Sequence, residues 1–114
     1  MHEMSLMSGV FEAIDAALEA YQVPRVTKVK LQVGRLTNAE PDALDFAFQA
    51  FAAGTPMEGA VLEIELVPLA GCCKECAREF EIEGLVFYCP ECKSPSIHIV
   101  RGRELVLESL EVEA

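Results

Sequence analysis

Cys73-Lys74-Glu75-Cys76 and Cys89-Pro90-Glu91-Cys92 repeat one short pattern, and how they are read decides the fold. Two thiolates separated by two residues reach a single ion from one tight turn. Two such turns facing each other complete a tetrahedral cage of four thiolates, the usual closed structural zinc site. The spacing therefore predicts Zn2+ held by Cys73, Cys76, Cys89 and Cys92. Between the turns, Phe80, Ile82, Leu85, Val86, Phe87 and Tyr88 give apolar material for two short ribbon strands, and Pro90 sets φ in the second turn. So small a module has almost no core of its own, and zinc should supply folding energy outright. Cys72 is left over. Pairing Cys72 with Cys76 is the other arrangement, but Phe80 follows Cys76 as ribbon hydrophobics usually do, which keeps Cys73 in the cage and makes Cys72 a bystander thiol. Lys74, Arg78 and Lys93 lie near enough in sequence to offset the negative cage, or else are ordinary solvated cations.

On the N-terminal side, two helix–strand pairs precede the cysteines. Met7, Val10, Phe11, Ile14, Ala17, Leu18 and Tyr21 follow the spacing of an amphipathic helix running from Met4 to Tyr21, with Glu12, Asp15 and Glu19 on its other face. Pro24 forces a break. Lys28–Val33 alternates as a strand with one wet face, and Gly34 ends it. Pro41 suits the first position of a second helix, with Leu44, Ala47, Phe48 and Phe51 as its buried stripe and Gly54 with Pro56 as its stop. Leu62–Leu66 alternates again, closed by Pro68.

Beyond the cysteines, Glu104–Glu113 reads as a strand whose parity shifts. Leu105 and Leu107 point one way, Leu110 and Val112 the other, and a bulge near Leu107–Glu108 would reconcile them. Strands on both sides make the cysteine module an insertion. The predicted class is α+β: a small three-stranded sheet with two helices, plus a four-cysteine zinc ribbon inserted before the last strand. The predicted division gives residues 1–68 and 102–114 to the α+β domain and residues 69–101 to the zinc domain.

Asp and Glu total 19 against 9 Lys and Arg, a formal net charge of −10. Phosphate binding needs a basic face that releases counterions, so nucleic acid is a poor partner for this chain. Five cysteines, mostly in CxxC pairs, fit metal binding in a reducing compartment better than a disulfide framework. No stretch approaches the roughly 20 apolar residues of a membrane span. The start, Met1-His2-Glu3-Met4-Ser5, lacks the basic and apolar regions of a secretion signal. The chain is expected to be cytoplasmic, with no membrane and no nucleic-acid partner, and monomer and homodimer are both open.

His2 is one of only 2 histidines. Its imidazole, its own backbone nitrogen and the α-amine of Met1 can chelate one ion through five- and six-membered rings, which suits square-planar Ni2+ or Cu2+. A bulky second residue should keep Met1 in place. The α-amine, with a reference pKa of about 7.7–8.0, must lose its proton to bind, so affinity should rise through neutral pH. The plain alternative is a solvated terminal histidine. Rival uses of the cysteines are a four-thiolate iron centre and a dithiol redox site. Nothing in the residues favours iron, and the βαβ setting of a dithiol site is absent. A closed cage has no open position for a substrate, so the chain is not expected to be an enzyme.

Met1-His2-Glu3-Met4-Ser5, Val33-Gly34, Glu40-Pro41 before a helix, Cys73-x2-Cys76-x3-Phe80, Cys89-Pro90-x-Cys92, Gly102-Arg103-Glu104-Leu105 and Ser109-Leu110-Glu111-Val112 occur in one order. Over essentially its whole length the chain thereby resembles the HypA/HybF family of nickel metallochaperones. The resemblance implies a nickel-binding α+β domain with a zinc domain inserted before the final strand. It implies Ni2+ held at the N-terminus by His2 and nearby backbone nitrogens, Met1 included, and Zn2+ in the two CxxC pairs. It further implies that nickel passes to the [NiFe]-hydrogenase large-subunit precursor in cooperation with the HypB GTPase, the chaperone itself not being an enzyme.

The doubled Cys72-Cys73 departs from the commonest family pattern. His98, in Ser96-Ile97-His98-Ile99, would supply a further nickel nitrogen if the zinc module folds back, and is otherwise a surface histidine on an alternating strand. Glu3, as a side-chain or backbone ligand, and Glu40, as a carboxylate near the site, complete the candidates. The alternative function is a zinc-ribbon protein-interaction adaptor without nickel delivery.

Overall fold

The computed structural model describes residues 2–21, 24–84 and 86–113, with only the backbone at His2. Met1 and the His2 side chain, both assigned to nickel from the sequence, lie outside the described residues. The elements run α1 (His2–Glu19), β1 (Val26–Gly34), a 3-10 turn (Arg35–Thr37), α2 (Pro41–Ala52), β2 (Val61–Val67), β3 (Ala70–Cys73), β4 (Glu79–Glu81), β5 (Ile97–Arg101) and β6 (Leu105–Val112). They form two three-stranded sheets, ordered β2-β1-β6 and β4-β3-β5. The last strand thus returns beside the first, as the α+β reading with an inserted ribbon requires. Two compact units result: Met1–Gln32, Ala39–Glu65 and Leu105–Ala114 make one, Val33–Asn38 and Leu66–Glu104 the other.

In the first unit α1 packs against α2 and touches β6, and the apolar stripes of both helices and the inward residues of β1 are buried. Met7, Ile14, Val29, Leu31, Leu44 and Phe48 are all fully buried. The Phe11 ring sits 5.5 Å from Phe48 and 5.4 Å from Phe51, centroid to centroid, at tilted angles that suit aromatic quadrupoles. The stripe of α1 is shorter than its periodicity suggests. The helix ends at Glu19, and Tyr21, expected on the buried face, lies past that end and is 69% exposed. Helix α2 starts as its sequence demands: Pro41 occupies the first turn, and a Glu40 side-chain oxygen accepts from the Asp42 N–H at 3.1 Å. Just past α2, Gly54 has φ 77°, a left-handed conformation that glycine adopts at no steric cost.

Alternation along β1 sends Lys28 and Lys30 to the opposite face of the sheet from Val29 and Leu31. There Lys28 meets Glu63 of β2 at 2.7 Å, while Lys30 meets Glu108 of β6 at 3.2 Å and Glu63 at 3.6 Å. The central strand carries the cations and both neighbours carry the anions. Along β6, Leu105, Leu107 and then Leu110 are half-buried, so the burial parity shifts between Leu107 and Leu110. Val112, expected to share the face of Leu110, is exposed instead.

The second unit corrects one expectation. The segment between the cysteine turns contributes a single strand among its described residues, β4, not two. Val86, Phe87 and Tyr88 are exposed and stand outside the strands. The third strand of the ribbon is β5, which follows the second cysteine turn and pairs antiparallel with β3.

Candidate metal sites

Both cysteine turns are shaped by the main chain, and in the same way. In the first, the Cys73 N–H donates to the Arg78 carbonyl and the Ala77 N–H to the Cys73 carbonyl, each at 2.9 Å. In the second, the Cys89 N–H donates to the Ser94 carbonyl and the Lys93 N–H to the Cys89 carbonyl, again at 2.9 Å. Ala77 and Lys93, the fourth residue after the leading cysteine in each turn, both sit at φ 64°. The two turns are thus one backbone motif used twice, and each brings its pair of sulfurs to the same side.

Facing each other, they gather Cys73, Cys76, Cys89 and Cys92 into a cluster whose sulfurs all lie within 4.8 Å of one another. Cys73 and Cys92 are 3.5 Å apart, Cys76 and Cys89 3.6 Å. A tetrahedral zinc with bonds of about 2.3 Å needs sulfurs about 3.8 Å apart. The cluster fits that ion, with Cys73 and Cys89 buried and Cys76 and Cys92 open to solvent. Among the described residues no other group of three or more cysteine, histidine or acidic side chains converges so closely.

Backbone donors also decide which thiols hold their protons. The Cys76 N–H points at the Cys73 sulfur at 3.5 Å and is the main reason that thiol titrates below its ordinary range. The Cys92 N–H does the same for Cys89, bringing it to about 7 against the effect of burial. At Cys92 the Ser94 N–H favours the thiolate, yet sharing a proton with Cys73, together with burial, pushes it up to about 12. Cys76 is also raised, the help of the Arg78 N–H being outweighed by burial and by Cys89 and Cys73. The first cysteine of each turn therefore gives up its proton more readily than the second. An arriving Zn2+ would take the leading thiolates most readily and would have to displace protons from Cys76 and Cys92.

Two of the three nearby cations are engaged: Arg78 pairs with Glu91 at 3.4 Å across the two turns, and Lys93 stands 5.7 Å from the centre of the Tyr88 ring. Cys72 stays outside the cage, its sulfur 3.5 Å from the Ala77 carbonyl oxygen.

At the other candidate site, α1 begins at His2, so Glu3 stands in its first turn. A Glu3 carboxylate oxygen accepts from the Glu40 N–H at 3.2 Å, which brings the first turns of α1 and α2 together. His98 lies exposed on β5, in the second unit. The partner the sequence reading missed is Cys72, which sits opposite His98 in the strand register.

A family model described as hydrogenase/urease nickel incorporation, metallochaperone, hypA, matches residues 1–112. The chain belongs to the HypA family. The hydrogenase maturation factor HypA of Desulfitobacterium hafniense is 59% identical over 113 residues, covering 99% of each chain. That of Chlorobium limicola is 40% identical, over 99% of this chain and 97% of its own. The solution structure of the Ni metallochaperone HypA from Helicobacter pylori matches with a TM-score of 0.73 at 26% identity, covering 100% of this chain and 99% of that one. As a HypA-family chain, this protein joins a nickel-incorporation metallochaperone family in hydrogenase maturation and carries a four-cysteine site suited to zinc. Among the described residues, no helix is long and apolar enough to cross a membrane.

Proposed function

We propose that this chain is a nickel metallochaperone, not an enzyme, that binds Ni2+ at its N-terminus and delivers it for maturation of [NiFe]-hydrogenase. The observation that carries the reading is the start of α1 at His2, beside Glu3. The first four N–H groups of a helix have no intrahelical acceptor, so backbone nitrogens here can give up protons to a metal without breaking the helix ladder. The positive end of the helix dipole opposes a cation at this position, and anionic donors must offset it. Ionised backbone nitrogen and the Glu3 carboxylate supply that charge, while the His2 imidazole and the Met1 α-amine complete a nitrogen-rich set suited to Ni2+.

Zinc remains in the cage of Cys73, Cys76, Cys89 and Cys92, in the domain of residues 69–101. Four soft ligands in a closed site hold it in place, whereas nickel at a chain end can leave ligand by ligand. The nickel passes to the hydrogenase large-subunit precursor, in cooperation with the HypB GTPase, in the cytoplasm. Glu12, Asp15 and Glu19, all exposed on α1, offer HypB an acidic surface to dock on.

The test is calorimetry with metal analysis on tag-free, zinc-loaded protein beside His2→Ala. The expected result is one tight nickel event per chain, free of sulfur-to-metal absorption, stronger as pH rises past the α-amine range and lost in His2→Ala while zinc stays. No nickel binding by the wild type, or binding indifferent to His2, would leave the second reading, a zinc-ribbon interaction adaptor without nickel delivery, which the exposed Val86, Phe87 and Tyr88 favour.

A further inference from the structure

Cys72 is the thiol the cage does not use. Strand alternation turns it to the opposite face of β3 from Cys73. The antiparallel registers then set two residues directly across from it, His98 on β5 and Glu79 on β4. Sulfur, imidazole and carboxylate stand in one row across all three strands, on the face away from the four-cysteine cage. Solvent reaches the whole row, since Cys72 is half-buried and His98 and Glu79 are exposed.

We propose that Cys72 and His98 form a second, weaker cation site, taking one borderline divalent ion such as Ni2+ or Co2+, with Glu79 or water completing its shell. Residues directly opposed in an antiparallel pair carry their Cβ atoms about 4.5–5.5 Å apart. One thiolate at about 2.3 Å and one imidazole nitrogen at about 2.0–2.1 Å, set tetrahedrally, require sulfur and nitrogen about 3.5 Å apart. Cysteine and histidine side chains span that difference by rotation about χ1 alone. The donors do not yet converge. The Cys72 sulfur faces the carbonyls of Ala77 at 3.5 Å and Cys73 at 3.8 Å, and Glu79 pairs with Arg101. Thiols are weak donors and exposed ion pairs are worth little, so both partners are readily exchanged for a metal.

On binding, the sulfur–metal bond replaces the S–H bond and the proton goes to solvent. The donor set selects thiophilic, imidazole-binding ions over Mg2+ or Ca2+. With at most three protein donors on an open face, the site exchanges its ion where the cage retains one.

The test uses tag-free, zinc-loaded His2→Ala protein, in which His98 is the sole histidine. Ni2+ alone is titrated while near-ultraviolet absorption, zinc release and the His98 ring signals are followed. The expected result is a thiolate-to-nickel band saturating near one ion per chain, with His98 signals broadening in step and zinc retained. Cys72→Ser in this background should abolish the band, and His98→Ala should weaken nickel binding about tenfold or more. Absence of the band, its survival in Cys72→Ser, or its appearance in step with zinc release would each overturn the proposal. Because His2 is absent throughout, the outcome is independent of whether the N-terminal nickel reading holds.

Discussion

Gly34 lies so close to Gly102 that a Cβ on Gly34 would overlap the Gly102 carbonyl and come within 2.6 Å of the Arg103 nitrogen. Two hydrogen bonds draw the segments together: Gly34 N–H to the Glu104 carbonyl and Leu36 N–H to the Gly102 carbonyl, each 2.7 Å. Gly102 is constrained in its own right, with φ 111° and the Leu69 Cα 2.7 Å from where its Cβ would fall. Everything a methyl group would meet at Gly34 is backbone, which cannot step aside. Gly34→Ala should therefore destabilise the protein by about 1–3 kcal/mol, and Gly102→Ala by a similar amount through its left-handed conformation. A urea midpoint within error of wild type for Gly34→Ala would show that the two segments separate at no cost.

Two phenylalanines on α2 should behave oppositely. Phe48 is fully buried against Phe11, while Phe46 is 75% exposed. Phe48→Ala should cost about 3–5 kcal/mol, and Phe46→Ala less than about 0.5 kcal/mol. Equal losses in thermal denaturation would mean that Phe46 is covered in solution.

The charged face of the sheet gives a pH signature. Lys28 is raised above its ordinary 10.5, chiefly by its hydrogen bond to Glu63, and Lys30 likewise by Glu108. Glu63 is lowered from 4.5, chiefly by its hydrogen bond to Lys28. A raised lysine stabilises fully below 10.5 and loses that contribution as pH climbs through its folded value. A lowered glutamate stabilises fully above 4.5 and loses it as pH falls through its folded value. The Tm difference between wild type and Glu63→Gln should be flat between these limits, shrink beyond either, and fade in about 1 M salt, where the screening length falls to about 3 Å. A difference that ignores both pH and salt would assign the effect of Glu63 to packing.

Zinc binding should release protons. At pH 8 the thiols of Cys76 and Cys92, both raised, still carry theirs, while Cys89 at about 7 is mostly ionised. At least two protons per zinc are expected, and each makes affinity fall about tenfold per pH unit on acidification. Competition with a chelator at pH 6, 7 and 8 measures the slope, and a flat profile would mean that all four thiols are ionised beforehand. Stripping the metal should unfold the β3–β5 ribbon, seen as loss of amide-exchange protection there.

Much of this was legible because periodicity and spacing are local. The stripe from Met7 to Ile14, the alternation of Lys28–Val33 and the two CxxC pairs each report on a few neighbouring residues, and each led to the element found. The parity shift in β6 was visible for the same reason. The ribbon strands were misplaced because the apolar run from Phe80 to Tyr88 looks alike whether it pairs or faces water. Tyr21 was assigned to the core because a period does not say where a helix stops. The row of Glu79, Cys72 and His98 was invisible, since it exists only in the register between strands.

The cage owes its shape to amide and carbonyl groups that every non-proline residue possesses, together with two left-handed positions at Ala77 and Lys93. Side chains between the cysteines contribute none of these bonds. Lys74 and Glu75 can thus be exchanged without altering those bonds, whereas Glu91 also pairs with Arg78 across the turns. Glycine or asparagine at position 77 or 93 would relax the backbone without touching a single ligand. In this sense recognition and metal retention are separable traits, inherited by the same few residues but selected through different atoms.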